Sequence, residues 1–186
     1  DMDYLAGNQG LNNWLKTSAA YPICVYAKDF DKNGRIDPVL CHYVDGTEYI
    51  VHARDDINMQ MTAMKARFKD YTTYAETKFK DAFLKEEIKD AYQLKCETFS
   101  SMYIENKGNA KFDLKPLPIA AQLSTIYGMY CTDINADGNM DVVCVGNSFA
   151  PEVQTGRNDA QGMLVLEGNG QGGFAVNRNE YNLTSD

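Results

Sequence analysis

Two nine-residue stretches carry side chains in an order suited to a hard divalent cation, Asp29-Phe30-Asp31-Lys32-Asn33-Gly34-Arg35-Ile36-Asp37 and Asp133-Ile134-Asn135-Ala136-Asp137-Gly138-Asn139-Met140-Asp141. Oxygen-bearing side chains recur at the first, third, fifth and ninth positions, and glycine holds the sixth, where the chain must turn sharply. The candidate ligands of the first loop are the side chains of Asp29, Asp31, Asn33 and Asp37 with the peptide oxygen of Arg35. Those of the second are Asp133, Asn135, Asp137 and Asp141 with the peptide oxygen of Asn139. An all-oxygen set of this charge predicts calcium, with a dissociation constant of about 10⁻⁴ to 10⁻³ M or somewhat tighter. An EF-hand would place a bidentate Glu at position twelve. Here that position is Leu40 or Cys144, so Asp37 and Asp141 have to close the shell. Asp, Asn and Gly also favour plain polar turns. Two copies in one strand context shift the weight to a site.

Other chemistry is sparse. His42 and His52 are the only histidines. No third ligand stands at a recognisable spacing, so they are predicted to be ordinary strand residues. No G-x-S-x-G elbow, H-E-x-x-H pair or Walker loop is present. Cys24, Cys41, Cys96, Cys131 and Cys144 are scattered without a C-x-x-C pair, which points away from zinc and from a dense disulfide framework. They are expected to be small buried hydrophobes, with a Cys131–Cys144 bridge as the minor alternative. A formal charge of −8 and a pI near 4.8 argue against a nucleic-acid surface. No apolar run is long enough to span a bilayer.

The elements that must position the loops are mostly strands. Ile23–Ala27 leads into the first loop, Pro38–Val44 leaves it, and Asp45-Gly46 is a strong hairpin turn before Thr47–His52. Residues 54–93 change character. Ile57, Met61, Met64 and Phe68 fall on one helical face, a second helical piece spans Thr73–Phe83 with Ala75, Phe79 and Ala82 or Phe83 inward, and a third covers Lys85–Ala91. The methionines Met59, Met61 and Met64 are read as core rather than as a binding surface. The organisation is therefore a β region over 1–53, a helical insertion over 54–93 and a second β region over 94–186.

The β regions repeat. Ile104–Phe112 aligns without gaps to Leu166–Phe174, an offset of 62 residues, and each copy is an apolar strand, a Gly/Asn-rich turn and a new strand opening on Phe. The loops lie 104 residues apart, which approaches the same period once about forty residues of helical insertion are removed. Asp1-Met2-Asp3-Tyr4-Leu5-Ala6-Gly7-Asn8, like Asn139–Asn147, has an acid, a short apolar strand and Gly-Asn, so the chain is expected to open on the tail of a third loop, with Asp3 as its ninth residue.

Loops of this form joined directly to Val142-Val143-Cys144-Val145-Gly146-Asn147, with the hairpins ending in Phe112 and Phe174, resemble the FG-GAP/VCBS repeat of β-propellers, also found in integrin α-subunits. Tyr4–Asn12 and Pro151–Arg157 resemble bacterial VCBS-repeat proteins, many from Bacteroidetes, that are exported to the envelope. The resemblance implies a mainly β fold, a partial β-propeller of about two to three antiparallel blades with an α-helical insertion. It implies export to the periplasm, cell surface or medium. It also implies a non-enzymatic, calcium-binding module for a protein or carbohydrate ligand. The alternative is an accessory or catalytic part of an envelope glycan-processing enzyme, since paired carboxylates are set by the fold. A third reading makes the helical insertion, with Tyr71, Tyr74, Phe79 and Phe83, the interaction element. A propeller needs at least about four blades to close. The rest of a larger propeller, or another copy of the chain, is therefore expected to cover the open faces.

Overall fold

The computed structural model describes residues 2–149 and 156–177. In chain order the first strands are β1 (Tyr4–Ala6), β2 (Ile23–Lys28), β3 (Asp37–Val44), β4 (Thr47–Ile50) and β5 (Tyr92–Cys96). Then follow β6 (Met102–Asn106), β7 (Phe112–Pro116), β8 (Ile126–Thr132), β9 (Asp141–Gly146), β10 (Leu164–Gly168) and β11 (Phe174–Val176). Between β4 and β5 lie α1 (Arg54–Gln60), a 3-10 turn (Thr62–Ala66), α2 (Tyr71–Glu76), α3 (Phe79–Ala82) and α4 (Lys85–Ile88). The fold is mainly β, in several antiparallel sheets, as expected; among the described residues they do not close into a barrel or propeller.

The chain divides into two compact units, one formed by Asp1–Trp14 with Phe99–Asp186 and the other by Leu15–Thr98. The expected boundary between residues 53 and 54 falls inside the second unit, because the helices pack on the sheet that carries the first loop. That sheet has the order β4-β3-β2-β5. Its Cys24, Val39 and Cys41 share one core with Ile57, Met61, Met64, Phe68, Phe79, Ala82 and Phe83. The helical face formed by Ile57, Met61, Met64 and Phe68 is thus buried as its spacing predicts. Met59 departs from that reading and is exposed. The piece expected over Thr73–Phe83 is two helices, because Thr77 and Lys78 adopt extended backbone angles between them, and Ala75 lies exposed. Phe79 stacks on Tyr26 at 4.5 Å between ring centroids and Phe83 packs on Phe30 at 5.0 Å. Both phenylalanines are spent on the core and are not available as an interaction surface. The turn at Asp45-Gly46 forms, with positive φ at both residues (47° and 73°), the geometry of a tight hairpin.

Arg67 and Glu87 close this unit electrostatically. The guanidinium holds the Glu87 carboxyl below the usual range, helped by the Leu84 N–H, which donates to it at 2.7 Å. A depressed carboxyl contributes stability above its unfolded value and loses it as pH falls through the folded one. Glu87→Gln is expected to flatten the acid limb of a thermal-stability profile below about pH 4.5 and to cost about 1 kcal/mol or less at neutral pH, since the pair is partly exposed. Identical acid limbs for the two proteins would count against this linkage.

The other unit holds two sheets, of order β1-β6-β7 and β11-β10-β9-β8. Their core contains Tyr103, Leu117, Ala121, Ile126, Val142, Cys144 and Leu166. The 62-residue repeat is visible in the registers. Ile104 pairs with Leu114 as Leu166 pairs with Val176, and Asn106 pairs with Phe112 as Gly168 pairs with Phe174. Tyr4 pairs with Ile104 as Val142 pairs with Leu166. β1, β6 and β7 are therefore the counterparts of β9, β10 and β11. The whole segment 15–98 enters between the counterparts of β9 and β10, a larger interruption than the expected 54–93.

Candidate metal-binding loops

Each loop is the connection of an antiparallel hairpin, the first between β2 and β3 and the second between β8 and β9. The registers agree. Lys28 pairs with Asp37 and Thr132 with Asp141, so the residue before each first position faces each ninth position. The strand pair thus brings both ends of the loop together and leaves eight residues between the paired positions to turn the chain.

Those residues turn identically. Lys32 and Ala136, the fourth positions, have φ of 60°, and Gly34 and Gly138 have 86° and 85°. With two left-handed residues so close, the intervening N–H groups converge on the side chains. In the first loop, Asp29 accepts from Asn33 N–H (3.0 Å) and Gly34 N–H (2.8 Å), Asp31 from Asn33 N–H (3.1 Å), and Asn33 from Arg35 N–H (2.9 Å). In the second, Asp133 accepts from Asp137 N–H (3.2 Å) and Gly138 N–H (3.0 Å), Asn135 from Asp137 N–H (2.9 Å), and Asp137 from Asn139 N–H (2.7 Å). The last contact holds the Asp137 carboxyl below its ordinary pKa. Each of these backbone-to-side-chain bonds of one loop has its counterpart in the other, and the second loop adds one between side chains, Asn135 Nδ2–H donating to Asp137 at 3.1 Å.

The ninth residues are the buried anchors. Asp37 is 3% exposed and Asp141 is fully buried. Each accepts, at 3.0 Å, from the N–H of its own second position, Phe30 or Ile134. Asp141 has a further donor, Gly168 N–H of β10 at 2.9 Å. The first loop is fixed instead by Phe30, whose ring packs on Phe83.

Asp29, Asp31 and Asp37 each bring a carboxylate oxygen into one group within 4.8 Å of one another. The second loop has Asn135 where the first has Asp31, and Asp137 where it has Asn33. An oxygen accepting one N–H retains lone-pair capacity, so the donor set fits a hard cation. In addition to the expected ligands, sequence reasoning missed the Gly168 N–H. Its signal was the Gly-rich turn that begins at Gly168.

The remaining candidates do not assemble. His42 is a strand residue of β3, as expected, and burial lowers its pKa. His52 departs from that expectation, since β4 ends at Ile50 and His52 lies in the bend after it, where its Nε2 accepts from Leu40 N–H at 3.2 Å. All five cysteines are thiols, and Cys131 lies opposite Val142 while Cys144 lies opposite Met129, so no bridge forms between them. Cys24, Cys41 and Cys144 are buried as expected, Cys131 is exposed, and desolvation pushes the Cys144 thiol up to about 11. No described helix is long and apolar enough to cross a membrane. Pro151–Thr155, part of one resemblance, lie outside the described residues. No family model, curated protein or solved structure matches the chain.

Proposed function

We propose that the chain is a calcium-binding segment of an FG-GAP/VCBS-type propeller that serves an exported protein as a non-enzymatic module for a protein or carbohydrate ligand. The observation that carries this reading is that two loops in different units, which share little sequence beyond their oxygen ligands and glycine, bind their own backbone N–H groups through the same set of side-chain acceptors. Turn formation alone asks only for a reversal of the chain. Conserving the acceptors at positions one, three, five and nine with the same hairpin register is what a common coordination shell asks for. On this reading calcium ties each strand-connecting loop to its hairpin, which gives surface loops a fixed frame on which to present a ligand site.

Calorimetric titration is expected to return two calcium sites with dissociation constants of about 10⁻⁴ to 10⁻³ M. At a free concentration 100 times that constant, one site stabilises its unit by about 2.7 kcal/mol over the chelated protein. Thermal melts in chelator and in saturating calcium measure this directly. Superimposed melts would leave the loops as polar turns. Glycan-array and pull-down signals that persist on the folded protein without hydrolysis of any bound glycan support a module, whereas turnover of a bound glycan would replace it by the enzyme reading.

A further inference from the structure

We propose that the cleft of about 830 Å³ lined by the second loop, the Gly168–Phe174 turn and Tyr103 is a binding site for a neutral oligosaccharide. The proposal rests on the module reading above and gives it a seat and one ligand class. All of the lining belongs to one unit. The volume lies within the range of about 300–1,000 Å³ usual for small-molecule sites and accommodates a chain of a few sugars.

The cleft combines three features that match a sugar ring. The first is a fixed acceptor. Asp3 takes the Tyr103 hydroxyl at 2.6 Å on one oxygen and the Asn106 N–H at 2.8 Å on the other, and these bonds hold its carboxyl below the ordinary pKa. A carboxylate has about four lone-pair sites, so capacity for neighbouring sugar hydroxyls remains. The second is a fixed donor. Asn169 Oδ1 accepts from the N–H groups of Gln171 and Gly173, both at 2.9 Å, which sets the plane of the amide and leaves Nδ2 to donate. The third is an aromatic surface. Tyr4 is 48% exposed, and its ring is braced by an edge contact with Phe112, centroids 6.2 Å apart. Such a ring offers an apolar body to the C–H face of a pyranose and a polar tip to its hydroxyls.

The wall is already shaped. A Cβ at residue 170 would stand 2.4 Å from Asn139 Oδ1 and one at residue 172 would stand 2.5 Å from the Tyr103 ring, so the turn is pressed against the second loop and the ring at once. Little ordering is then left for binding to bring about. What the cleft lacks narrows the ligand. Among its described lining residues there is no Lys, Arg or His, and Asp3 is the one charged group. Phosphorylated, sulfated or carboxylated ligands meet repulsion there, on a chain of formal charge −8. A peptide strand is disfavoured for another reason. Gly168 gives its N–H to Asp141, Asn169 gives its own to the Gly173 carbonyl, and Gln171 and Gly173 give theirs to Asn169, so the turn offers no ladder to an added strand.

Cys131 supplies the reporter, since it lines the cleft and its thiol is exposed. Its alkylation by N-ethylmaleimide, followed by peptide mass, is measured on the 186-residue protein with cellotetraose, maltotetraose, mannotetraose, xylotetraose and acetylated chitotetraose. At least one of them is expected to slow Cys131 about tenfold at about ten times its dissociation constant. Cys96, half-buried in the other unit, is expected to react at an unchanged rate. Tyr4→Ala is expected to weaken that glycan at least about fivefold. Asn169→Asp, which keeps the acceptor of the two N–H groups and removes the donor, is expected to weaken it by a similar factor. Should either variant fail to fold, the footprint on the wild-type protein decides alone. No protection by any of the five at millimolar concentration overturns the proposal. A glycan that binds without slowing Cys131 overturns the cleft as the site and leaves the module reading standing. Protection by oligogalacturonate or by casein-derived peptides, and by none of the neutral glycans, overturns the ligand class. Normal calcium titration without protection defeats this proposal alone. Protection in a protein that binds no calcium defeats the calcium reading alone.

Discussion

Asp141→Ala is expected to lower the stability of its unit by about 3–5 kcal/mol, with the cost present even in chelator. Asp141 is fully buried and its two oxygens serve two N–H groups, those of Ile134 and Gly168. Alanine leaves both donors without acceptors where water does not reach, and each such loss costs about 1–3 kcal/mol. Asp37→Ala is the internal comparison. Asp37 shows one such bond, to Phe30, and its loop is also held through the ring of Phe30, so its loss in chelator is expected to be about half as large. Calcium then adds a second difference, because both variants lose a ligand and so lose the stabilisation that wild type gains on titration. Urea unfolding of the three proteins, with and without calcium, separates the two contributions. An Asp141→Ala protein as stable as wild type in chelator would remove the anchoring role assigned to this side chain.

Gly168→Ala is expected to be comparably damaging, at about 3 kcal/mol or more, for a steric reason. A Cβ at residue 168 would stand 2.1 Å from the Met140 carbonyl oxygen, which is backbone and cannot swing aside. Relief requires β10 to move away from the end of the second loop, which also pulls the Gly168 N–H from Asp141. Overpacking of this kind typically costs 1–3 kcal/mol, and the broken buried bond adds to it. Gly138→Ala provides the contrast. Nothing lies within 4 Å of a Cβ there, but φ is +85°, so the cost is conformational and about 1–2 kcal/mol. Reversal of that order in thermal melts would show that the loop is limited by backbone strain rather than by its fit against β10.

How much of this was legible depended on whether the signal was local. The loop spacing, the Asp45-Gly46 turn and the helical face of Ile57, Met61, Met64 and Phe68 are properties of a few adjacent residues, and they formed as read. The alignment of Asp3 with Asp141 was equally local, and both residues make the same bond to the next strand. What the sequence could not place were partners distant along the chain. Phe79 and Phe83 looked like a candidate surface because the rings of Tyr26 and Phe30 that cover them lie some fifty residues away. The Cys131–Cys144 alternative failed on strand register, which puts those residues two steps apart across the hairpin. The extent of the interruption was missed for the same reason, since only the pairing of β1 with β6 shows that everything from 15 to 98 is an insert.

That insert has a kinetic consequence. Its ends are tied to each other, with the Thr17 hydroxyl donating to the Cys96 carbonyl at 2.5 Å and Ile23 pairing with Cys96. The chain on either side is tied as well, Gly10 N–H donating to the Phe99 carbonyl at 2.8 Å. Joining β1 to β6 in an unfolded chain means closing a loop of nearly a hundred residues. Once segment 15–98 has collapsed on its own core, the same closure spans only the short stretches outside it, which lowers the entropic cost by about 1–2 kcal/mol on logarithmic scaling. Refolding should therefore be sequential, the inserted segment acquiring protected amides first and the β1–β6 pair last. Closure of the β1–β6 pair therefore depends on a segment that contributes no strand to their sheet.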